Sequence, residues 1–590
     1  MKKGLFMLPL LGGLIVAGCS SDDTIAGVDT LPESYTNSYL SVSVIGANAA
    51  GTRAEYQQGD GEYEDGTETE NHINKVRFFF FDEKGDAAEV KKETTGDYVS
   101  YIDVMNNESN EYNQNETVEK IIETTLRLNI PDGHDNPKKV LAVINPTSDI
   151  EGLGNASLDE LKKQVRDFKT YNETVELTNN NFVMSNSVYS NETSGEVFGA
   201  ETLEDRNFQT TDDAAKANPV KIYVERVLAR LDFSLALSES KDGNPSKMLE
   251  DGTIIYKLKT PEGNDGEQYK INDGDNSNDE DLYVKFINWD ITGTPVKSRL
   301  IKEINANWKT PDLFGVASEL LWTTTDYHRS FWALNPDLGE KPNDATSNTN
   351  YKFVSFEEAS LDMPNPPSIV STYLQENANA YSSDMTAAAP DYATKVIITA
   401  QLVDENGKPK TLAKWLNNYY TLDGVKIAMA NLLEDLYMKD GDGGYKHVSS
   451  GDLTLGQATI EGAKSYYAQA TVDDKKAWYE KDGDTYTLIE DVNNKYIYTK
   501  LGYALVWETG YTYYFFDIHH LGNPGSLAYN GIVRNHIYKT SITSVAGLGT
   551  PVYKPEEKIY PEIPGKESII SAKVNILSWR VVSSSYDLTW

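Results

Sequence analysis

Short runs in which apolar and polar residues alternate recur along this chain, and acidic, glycine-rich segments separate them. In residues 38–45, for example, Leu40, Val42 and Val44 alternate with serines. A period of two residues is typical of a strand with one buried face, so we predict a half-buried strand there. Further strands are predicted within residues 75–86, 125–133, 138–146, 220–238 and 535–543. The run 138–146 is almost continuously apolar and is predicted to be buried on both faces.

Helical patterns are scarce by comparison. A helix is predicted over residues 157–168, because Ser157 can cap it and Glu160 completes a capping box. Many short strands, many turns and no alternation of strands with helices predict an all-β fold of β-sandwich domains. A chain of 590 residues is expected to contain more than one domain, and the linker-like residues 239–247 suggest a boundary after residue 238.

The N-terminus predicts export. Residues 1–19 combine Lys2 and Lys3 with a short apolar run that is too short to span a bilayer and reads as a signal peptide. The ending VAGC resembles a bacterial lipobox, which predicts a lipid on Cys19. Cys19 is the only cysteine of the chain, so no disulfide, four-cysteine metal site or thiol nucleophile is expected.

The charge of the chain excludes one class of partner. With 54 basic and 90 acidic residues, the formal net charge is −36. Such a surface repels phosphate backbones and anionic lipid, so nucleic acid is not expected as a partner. We expect contact with a membrane only through the lipid on Cys19.

The candidate catalytic and metal-binding patterns are weak. Residues 273–281 carry carboxylates at alternate positions, but Asn278 and Val284 stand where a calcium loop needs glycine and glutamate. His519 and His520 are adjacent, and neighbouring side chains of a strand point to opposite faces. No nucleophile elbow, phosphate loop or zinc-protease motif occurs. We therefore predict a protein that is not an enzyme and that needs no metal or other cofactor.

Charged residues interrupt the apolar pattern of residues 220–238, namely Glu225, Arg226 and Arg230. Two interpretations stay open at this point. Either the arginines pair with carboxylates beneath a domain junction, or the strand is an edge strand that shows its charges to water.

The two ends of the chain carry related patterns. Four prolines in residues 551–566 favour an extended spacer. A clean alternation follows it, and its apolar face and the aromatic residue behind it are Ile570, Ala572, Val574, Ile576 and Trp579. This strand is either the last strand of its own domain or a strand donated to another molecule. The second interpretation is favoured by Arg53, the first basic residue after Lys3, because a cut there would detach the strand of residues 40–45 and open a groove.

Several segments, taken in order, resemble one protein family. They are the lipobox, YLSVSV with TRAE behind it, INKVRFFFFD, KKVLAVINPT, NNFVMSN, VKIYVERVLARLDFSLAL, VRNHIYKTSITSVAGLGTP and AKVNILSWRVVSSSYDL. Together they are similar to the fimbrillins of Bacteroidales type V pili, and in particular to the Mfa-type major fimbrial stalk subunit. Residues 240–500 match poorly and carry acidic insertions.

The resemblance implies two transthyretin-like Greek-key β-sandwich domains with a few short helices. It divides the chain into a signal peptide (1–19), a propeptide with a plug strand (20–53), an N-terminal domain (54–238), a C-terminal domain (239–550) and a proline tether with a donor strand (551–590). The plug strand would comprise Leu40, Val42 and Val44, and the donor strand Ile570, Ala572, Val574, Ile576 and Trp579. Cleavage would fall between Arg53 and Ala54.

The implied partners are other copies of the chain, related fimbrial subunits, a trypsin-like surface protease and, before cleavage, the outer membrane through the lipid. The implied location is the outer membrane and then the extracellular fimbrium, with a role in adhesion and biofilm formation. Two other functions stay open. One is a surface glycan-binding lipoprotein that uses its many tyrosines and tryptophans as stacking platforms; the other is an accessory or tip fimbrial adhesin.

Overall fold

The computed structural model describes most of the chain. The described residues are 35–45, 67–91, 97–105, 121–131, 133–169, 182–186, 189–190, 197–217, 219–237, 243–261, 267–303, 334–336, 349–377, 393–459, 464–473, 475–490, 494–520, 531–560, 568–577 and 582–585. Cys19, Arg53, Ala54 and Trp579 lie outside these residues. Within them, no helix is long and apolar enough to cross a membrane.

Strands dominate the N-terminal part, as the alternating patterns predict. They are β1 (Tyr35–Ile45), β2 (Lys75–Phe81), β3 (Val90–Lys91), β4 (Tyr98–Val99), β5 (Tyr101–Met105), β6 (Ile121–Pro131), β7 (Lys139–Ile144), β8 (Val165–Arg166), β9 (Met184–Asn186), β10 (Tyr189–Ser190), β11 (Val197–Phe198), β12 (Glu201–Thr202), β13 (Phe208–Gln209) and β14 (Val220–Arg226).

The remainder of the chain continues in the same way. Its strands are β15 (Ala229–Leu235), β16 (Ser246–Met248), β17 (Ile254–Lys257), β18 (Tyr269–Asn272), β19 (Ser277–Glu280), β20 (Tyr283–Thr292), β21 (Thr294–Pro295), β22 (Ser298–Arg299), β23 (Tyr351–Lys352), β24 (Leu361–Asp362), β25 (Ile369–Leu374), β26 (Lys395–Val403), β27 (Leu412–Trp415), β28 (Asn418–Tyr420), β29 (Leu436–Lys439), β30 (Tyr445–His447), β31 (Thr454–Gln457), β32 (Ala468–Thr471), β33 (Trp478–Asp482), β34 (Thr485–Ile489), β35 (Tyr503–Trp507), β36 (Tyr511–Asp517), β37 (Ile537–Gly547), β38 (Thr550–Pro551), β39 (Ser568–Leu577) and β40 (Val582–Ser585).

The helices are short. Within the described residues they are α1 (Glu68–Asn71), α2 (Ser148–Glu151), α3 (Leu158–Lys162), α4 (Asp212–Lys216), α5 (Leu422–Asn431) and α6 (Asn494–Leu501), with 3₁₀ turns at Asp205–Asn207 and Ser450–Asp452. In α3 the predicted capping box between Ser157 and Glu160 is present. The helix ends at Lys162, earlier than the sequence predicted, because the chain then pairs as strand β8.

The first core is built by one large sheet. Its eleven strands follow the order β4-β3-β6-β1-β14-β9-β7-β2-β5, with β12 beside β7 and β13 beside β1. Leu40 of β1 and Phe78 of β2 belong to the same core although β14, β9 and β7 lie between their strands. The sheet therefore curls around that core. Strand β7 is buried on both faces, as its continuous apolar run predicted.

A sandwich forms the second core. A five-stranded sheet of order β25-β15-β37-β39-β40 contributes Phe233, and a seven-stranded sheet of order β16-β17-β20-β26-β36-β38, with β24 beside β20, contributes Trp289. The two rings lie 4.6 Å apart between the sheets. Side chains from two facing sheets that fill one core define a β-sandwich. The all-β fold class predicted from the sequence is confirmed.

A third core lies within the part of the chain that matches the family poorly. It collects buried side chains from β27, β29, β32, β33 and β35 and from helices α5 and α6, including Val425, Trp478 and Ile497. Another seven-stranded sheet of order β19-β18-β28-β27-β35-β32-β31 and a four-stranded sheet of order β30-β29-β33-β34 surround it. The sequence did not predict this third core.

The predicted long strand over residues 220–238 is two strands. Strand β14 belongs to the first sheet and β15 to the five-stranded sheet. Val227 and Leu228 between them pack into the first core, whereas Ala229 already packs into the second. The period of two residues continues through this junction, which is why the pattern alone shows a single strand.

Candidate functional site

Strand β1 lies in the interior of the first sheet. It pairs antiparallel with β6 along its whole length, from Tyr35 opposite Pro131 to Ile45 opposite Ile121. On its other edge, Val42 to Ile45 pair parallel with Val220 to Tyr223 of β14. Removing β1 would leave two unpaired strand edges that face each other across a slot one strand wide.

The side chains of β1 are buried on both faces. Leu40, Val42 and Val44 belong to the first core and are at most 1% exposed. Ser41 and Ser43 are also buried, so the prediction of a half-buried strand is wrong. Helix α4 packs against β1, and because the apolar residues face the core, this helix covers the serine face.

Strand β39 occupies the other end of the chain and carries the predicted donor residues Ile570, Ala572, Val574 and Ile576 in its backbone. It pairs antiparallel with β37, from Leu577 opposite Ile537 to Ser568 opposite Gly547. Its other edge pairs with the short strand β40. In the single chain, β39 thus holds the place of a strand of its own domain, the first of the two interpretations drawn from the sequence.

The first part of the proline tether is packed against the C-terminal sandwich. The backbone N–H of Ile559 donates to the carbonyl of Val354 at 2.9 Å, and the ring of Tyr560 lies 5.1 Å from that of Phe353. The sequence predicted an extended spacer here. Prolines do prevent ladder formation, but Ile559 between them joins a small core with buried residues of the C-terminal sandwich, such as Ile397 and Tyr513.

The junction between the first two cores holds buried charges. Glu70 of α1 is fully buried, and its carboxylate accepts hydrogen bonds from Arg230 at 2.9 Å and from the hydroxyl of Tyr373 at 3.0 Å. Arg230 also forms a two-point ion pair with Asp232 at 2.9 and 3.0 Å. Burial disfavours the charge on Arg230, but Asp232 and Glu70 outweigh this effect and raise its pKa above the usual range.

The second arginine of the junction ties the same helix to the start of β37. Arg226 donates from Nε to the carbonyl of Glu70 at 3.0 Å and from Nη1 to the side-chain oxygen of Asn535 at 3.2 Å. The backbone N–H of Asn535 donates in turn to the carbonyl of Leu228. Pairing with buried carboxylates, one of the two interpretations drawn from the sequence, is confirmed for Arg230, whereas Arg226 bonds to a backbone carbonyl and an amide oxygen. The other interpretation, an edge strand that shows its charges to water, is wrong.

Two more ion pairs support this region. Lys302 Nζ lies 3.2 Å from Glu225 Oε1, and both side chains are fully buried. Arg534 Nε lies 2.7 Å from Glu376 Oε2, and these two side chains are buried as well. The sequence did not single out Glu70, Asp232 or Glu376 as partners. For Glu70 a local pattern exists, since it completes a capping box with Thr67, but that pattern does not predict a distant arginine.

The predicted turn and histidine positions have structural roles. The backbone amides of Asn276 and Asp275 donate to the carboxylate of Asp273 and lower its pKa, which closes the turn between β18 and β19. His520 is buried with Nδ1 at 3.0 Å from the hydroxyl of Tyr538. Within the described residues, no group of three or more histidine, cysteine or acidic side chains could hold a metal ion.

The structure thus defines an all-β protein with both end strands built into sheets. Residues 505–585 match the family model for the major fimbrial subunit protein type IV, fimbrillin, C-terminal. Over these residues, which span β37 and β39, the chain is similar to the fimbrillin family, and the resemblance seen in the sequence is confirmed.

The chain is also similar to solved structures, at TM-scores too low to support an argument about function. One is a fimbrilin (fimA) from Porphyromonas gingivalis W83, 12% identical, with 92% of this chain and 98% of that chain covered and a TM-score of 0.36. Another is a putative cell adhesion protein from Parabacteroides distasonis ATCC 8503, 14% identical, with 92% and 96% covered and a TM-score of 0.34. The tip fimbrial protein Mfa3 from Porphyromonas gingivalis is 10% identical, with 92% and 100% covered and a TM-score of 0.31. No curated protein matches the chain.

Proposed function

We propose that the chain is a structural subunit of a cell-surface fimbria, of the Mfa-type stalk class. It is exported as a precursor lipidated at Cys19, cut between Arg53 and Ala54, and polymerised by exchange of its C-terminal strand. The observation that carries the proposal is the interior position of β1, upstream of Arg53 in the sequence. A cut after Arg53 leaves β1 attached to the rest of the molecule by pairing and packing alone.

The slot that β1 fills suits β39. The two strands are 11 and 10 residues long, and both alternate small or polar residues with apolar ones. In place of β1, an incoming strand would pair with β6 on one edge and β14 on the other. In its own chain, β39 has only β37 along its length and the four-residue β40 beside it. Exchange therefore adds backbone pairing and fills an apolar slot, which is strand addition used for assembly.

The partners follow from this mechanism. They are other copies of the chain and related fimbrial subunits, a trypsin-like surface protease, and the outer membrane until the lipidated segment is removed. The assembled product is an extracellular fimbrium that supports adhesion and biofilm formation. The mechanism needs no catalytic residue and no cofactor of its own.

The test is the substitution Arg53→Ala, with Arg206→Ala as the control because Arg206 is an exposed arginine of a described turn. Trypsin should cut the wild-type precursor to a new N-terminus at Ala54, and negative-stain microscopy should then show filaments. Arg53→Ala should remain full-length and monomeric, and Arg206→Ala should behave as the wild type. Filaments from Arg53→Ala would refute the plug mechanism.

A further inference from the structure

The four-stranded sheet of order β30-β29-β33-β34 carries large apolar or aromatic side chains on both faces. Its inner face packs Leu436, Met438 and Trp478 into the third core. An antiparallel sheet with one face on a core normally presents a polar outer face to water. Here the outer face carries Tyr437, Tyr445, His447, Tyr479, Tyr486 and Leu488. We call this set the aromatic face.

The rings of the aromatic face form one continuous cluster. Tyr445 and Tyr486, from the two edge strands, stack 3.9 Å apart and almost parallel, so the sheet curls over its inner strands. Tyr437 lies beneath them, 5.1 Å from Tyr486 and 4.1 Å from His447. His447 is exposed and Leu488 is 49% exposed. A ligand can therefore reach this cluster from solvent.

The charges at strand positions of this face are all basic. Lys439 lies 5.8 Å from the ring of Tyr479, and Lys481 lies 5.6 Å from that of Tyr486. Glu480 and Asp482 alternate with Lys481 and point to the other face. The carboxylate of Asp440, in the turn between β29 and β30, accepts hydrogen bonds from backbone amides of its own turn.

The ammonium and hydroxyl groups of this face have no ion-pair or hydrogen-bond partner in the described part of the protein. Neither lysine forms an ion pair there, and no hydroxyl of the four tyrosines forms a hydrogen bond. In a chain of net charge −36, two lysines on one face of a sheet without carboxylates on that face are conspicuous; the strand register places them at opposite ends of the face. The face thus offers ring surfaces, hydroxyls and two ammonium groups together.

We propose that the aromatic face binds an acidic polysaccharide, that is, a chain of sugar rings with carboxylates. The C–H groups of a sugar ring are electropositive and pack on the electron-rich faces of tyrosine rings. Tyrosine hydroxyls bond to sugar hydroxyls, and Lys439 and Lys481 pair with the carboxylates. Neutral sugars would leave the two lysines without carboxylates to pair with. Anionic polymers without sugar rings would leave the tyrosine rings without a surface to pack on.

The size of the face argues against a protein partner. Four strands about 4.8 Å apart and about five residues long cover roughly 300 Å². A stable protein interface buries about 800 Å² on each partner. A few sugar units fit the smaller area. The site lies on the third core, outside the strands of the proposed exchange, so it adds a binding activity that does not depend on polymerisation.

The test uses the full uncut chain and an oligomer of a polyuronate, with a dextran oligomer as the neutral probe, in titration calorimetry. The double variant Lys439→Gln/Lys481→Gln should weaken polyuronate binding at least tenfold. The matched control is Lys446→Gln, because Lys446 lies between Tyr445 and His447 in β30 but points to the other face, 3.8 Å from Asp452. It should change binding less than twofold, and both variants should melt at the wild-type temperature.

Three outcomes would overturn the proposal. They are no binding of the polyuronate, equal binding of dextran, and an equal loss of affinity in Lys446→Gln. Sedimentation of the same variants supplies a fourth: self-association that disappears with Lys439 and Lys481 would assign the face to a contact between copies of the chain instead.

Discussion

The two end strands of the chain are held very differently. Strand β1 lies between β6 and β14 in an eleven-stranded sheet, with buried side chains on both faces. Strand β39 lies one position from the end of a five-stranded sheet, and the strand outside it has only four residues. The interior strand is hard to displace while the chain is intact, whereas the peripheral strand can leave at a smaller cost. In the proposed mechanism, the cut at Arg53 therefore controls the release of β1, whereas β39 needs no cut to leave its sheet.

Deleting residues 567–590 should have the largest effect on this comparison, because it removes the peripheral strand entirely. The variant should fold, since β37 keeps its pairing with β15, and should be cut at Arg53, but it should form no filaments. Mixed with wild-type subunits it should shorten them, because it accepts a strand and cannot donate one.

The control for this deletion removes only residues 586–590, beyond β40, and should leave filaments unchanged under negative-stain microscopy. Filaments of normal length in the mixture, or any filament from the deleted protein alone, would assign the donor role to another segment.

Replacing Arg230 by methionine tests the junction that connects the sheet of β1 with the sheet of β39. The change leaves Glu70 and Asp232 buried without their cation, which should lower the free energy of unfolding by about 3–5 kcal/mol. Chemical denaturation of the precursor measures this loss.

The matched control is Arg77→Met. Arg77 is also buried and pairs with Asp103 at 2.7 Å, but the Asp103 side chain is 23% exposed and can be hydrated. Arg77→Met should therefore lower the free energy of unfolding by less than Arg230→Met does. Equal losses would mean that the junction contributes no more than an ordinary ion pair of the first sheet.

The sequence patterns predicted the end strands β1 and β39 but not the elements that pack against them. The alternation of Leu40, Val42 and Val44 predicted β1, and the lipobox and Arg53 directed attention to it. The burial of Ser41 and Ser43 was missed, because helix α4, which follows more than 160 residues later, covers them. A period of two residues shows which face of a strand is apolar, but it does not show whether a face of small polar side chains is buried as well.

The junction shows the same limit. The arginines were recognised because charge interrupts an apolar run, but Glu70 and Asn535 come from segments far away in sequence. Pairing over such distances leaves no local pattern. The third core and its aromatic face were missed for a different reason: residues 412–507 do contain short strands and tyrosines, yet nothing local indicates which faces the sheets bury.

A rise in pH should weaken the sheet that contains β1. Burial raises the pKa of Glu201 in β12 to about 7, and a hydrogen bond from the backbone of Thr202 opposes this only in part. Because the folded pKa lies above the ordinary value of 4.5, the folded state favours the protonated form. The contribution of protonated Glu201 to the free energy of unfolding is complete below about pH 4.5 and is lost as the pH rises through about 7.

Glu201→Gln should therefore stabilise the protein by up to about 3 kcal/mol at pH 8, and it should have little effect at pH 4.5. Melting curves of both proteins across this range measure the difference. As the control, Glu204→Gln removes an exposed carboxylate three residues away and should not change the pH profile. A constant difference between Glu201→Gln and wild type at all pH values would contradict the assignment.

Val42→Ala gives the smallest effect and the sharpest test of the comparison. Val42 is fully buried in β1, so losing two methyl groups should cost about 2 kcal/mol in the precursor. If β1 is a plug, that cost should vanish from the polymer, because the strand that carries the substitution is no longer there. Val143→Ala is the matched control, since Val143 is an equally buried valine of β7 in the same sheet and stays in the mature subunit. Denaturation of precursor and filaments should show the Val143 loss in both and the Val42 loss in the precursor alone. If filaments of Val42→Ala are destabilised as much as the precursor, β1 remains in place after assembly, and the exchange must occur elsewhere.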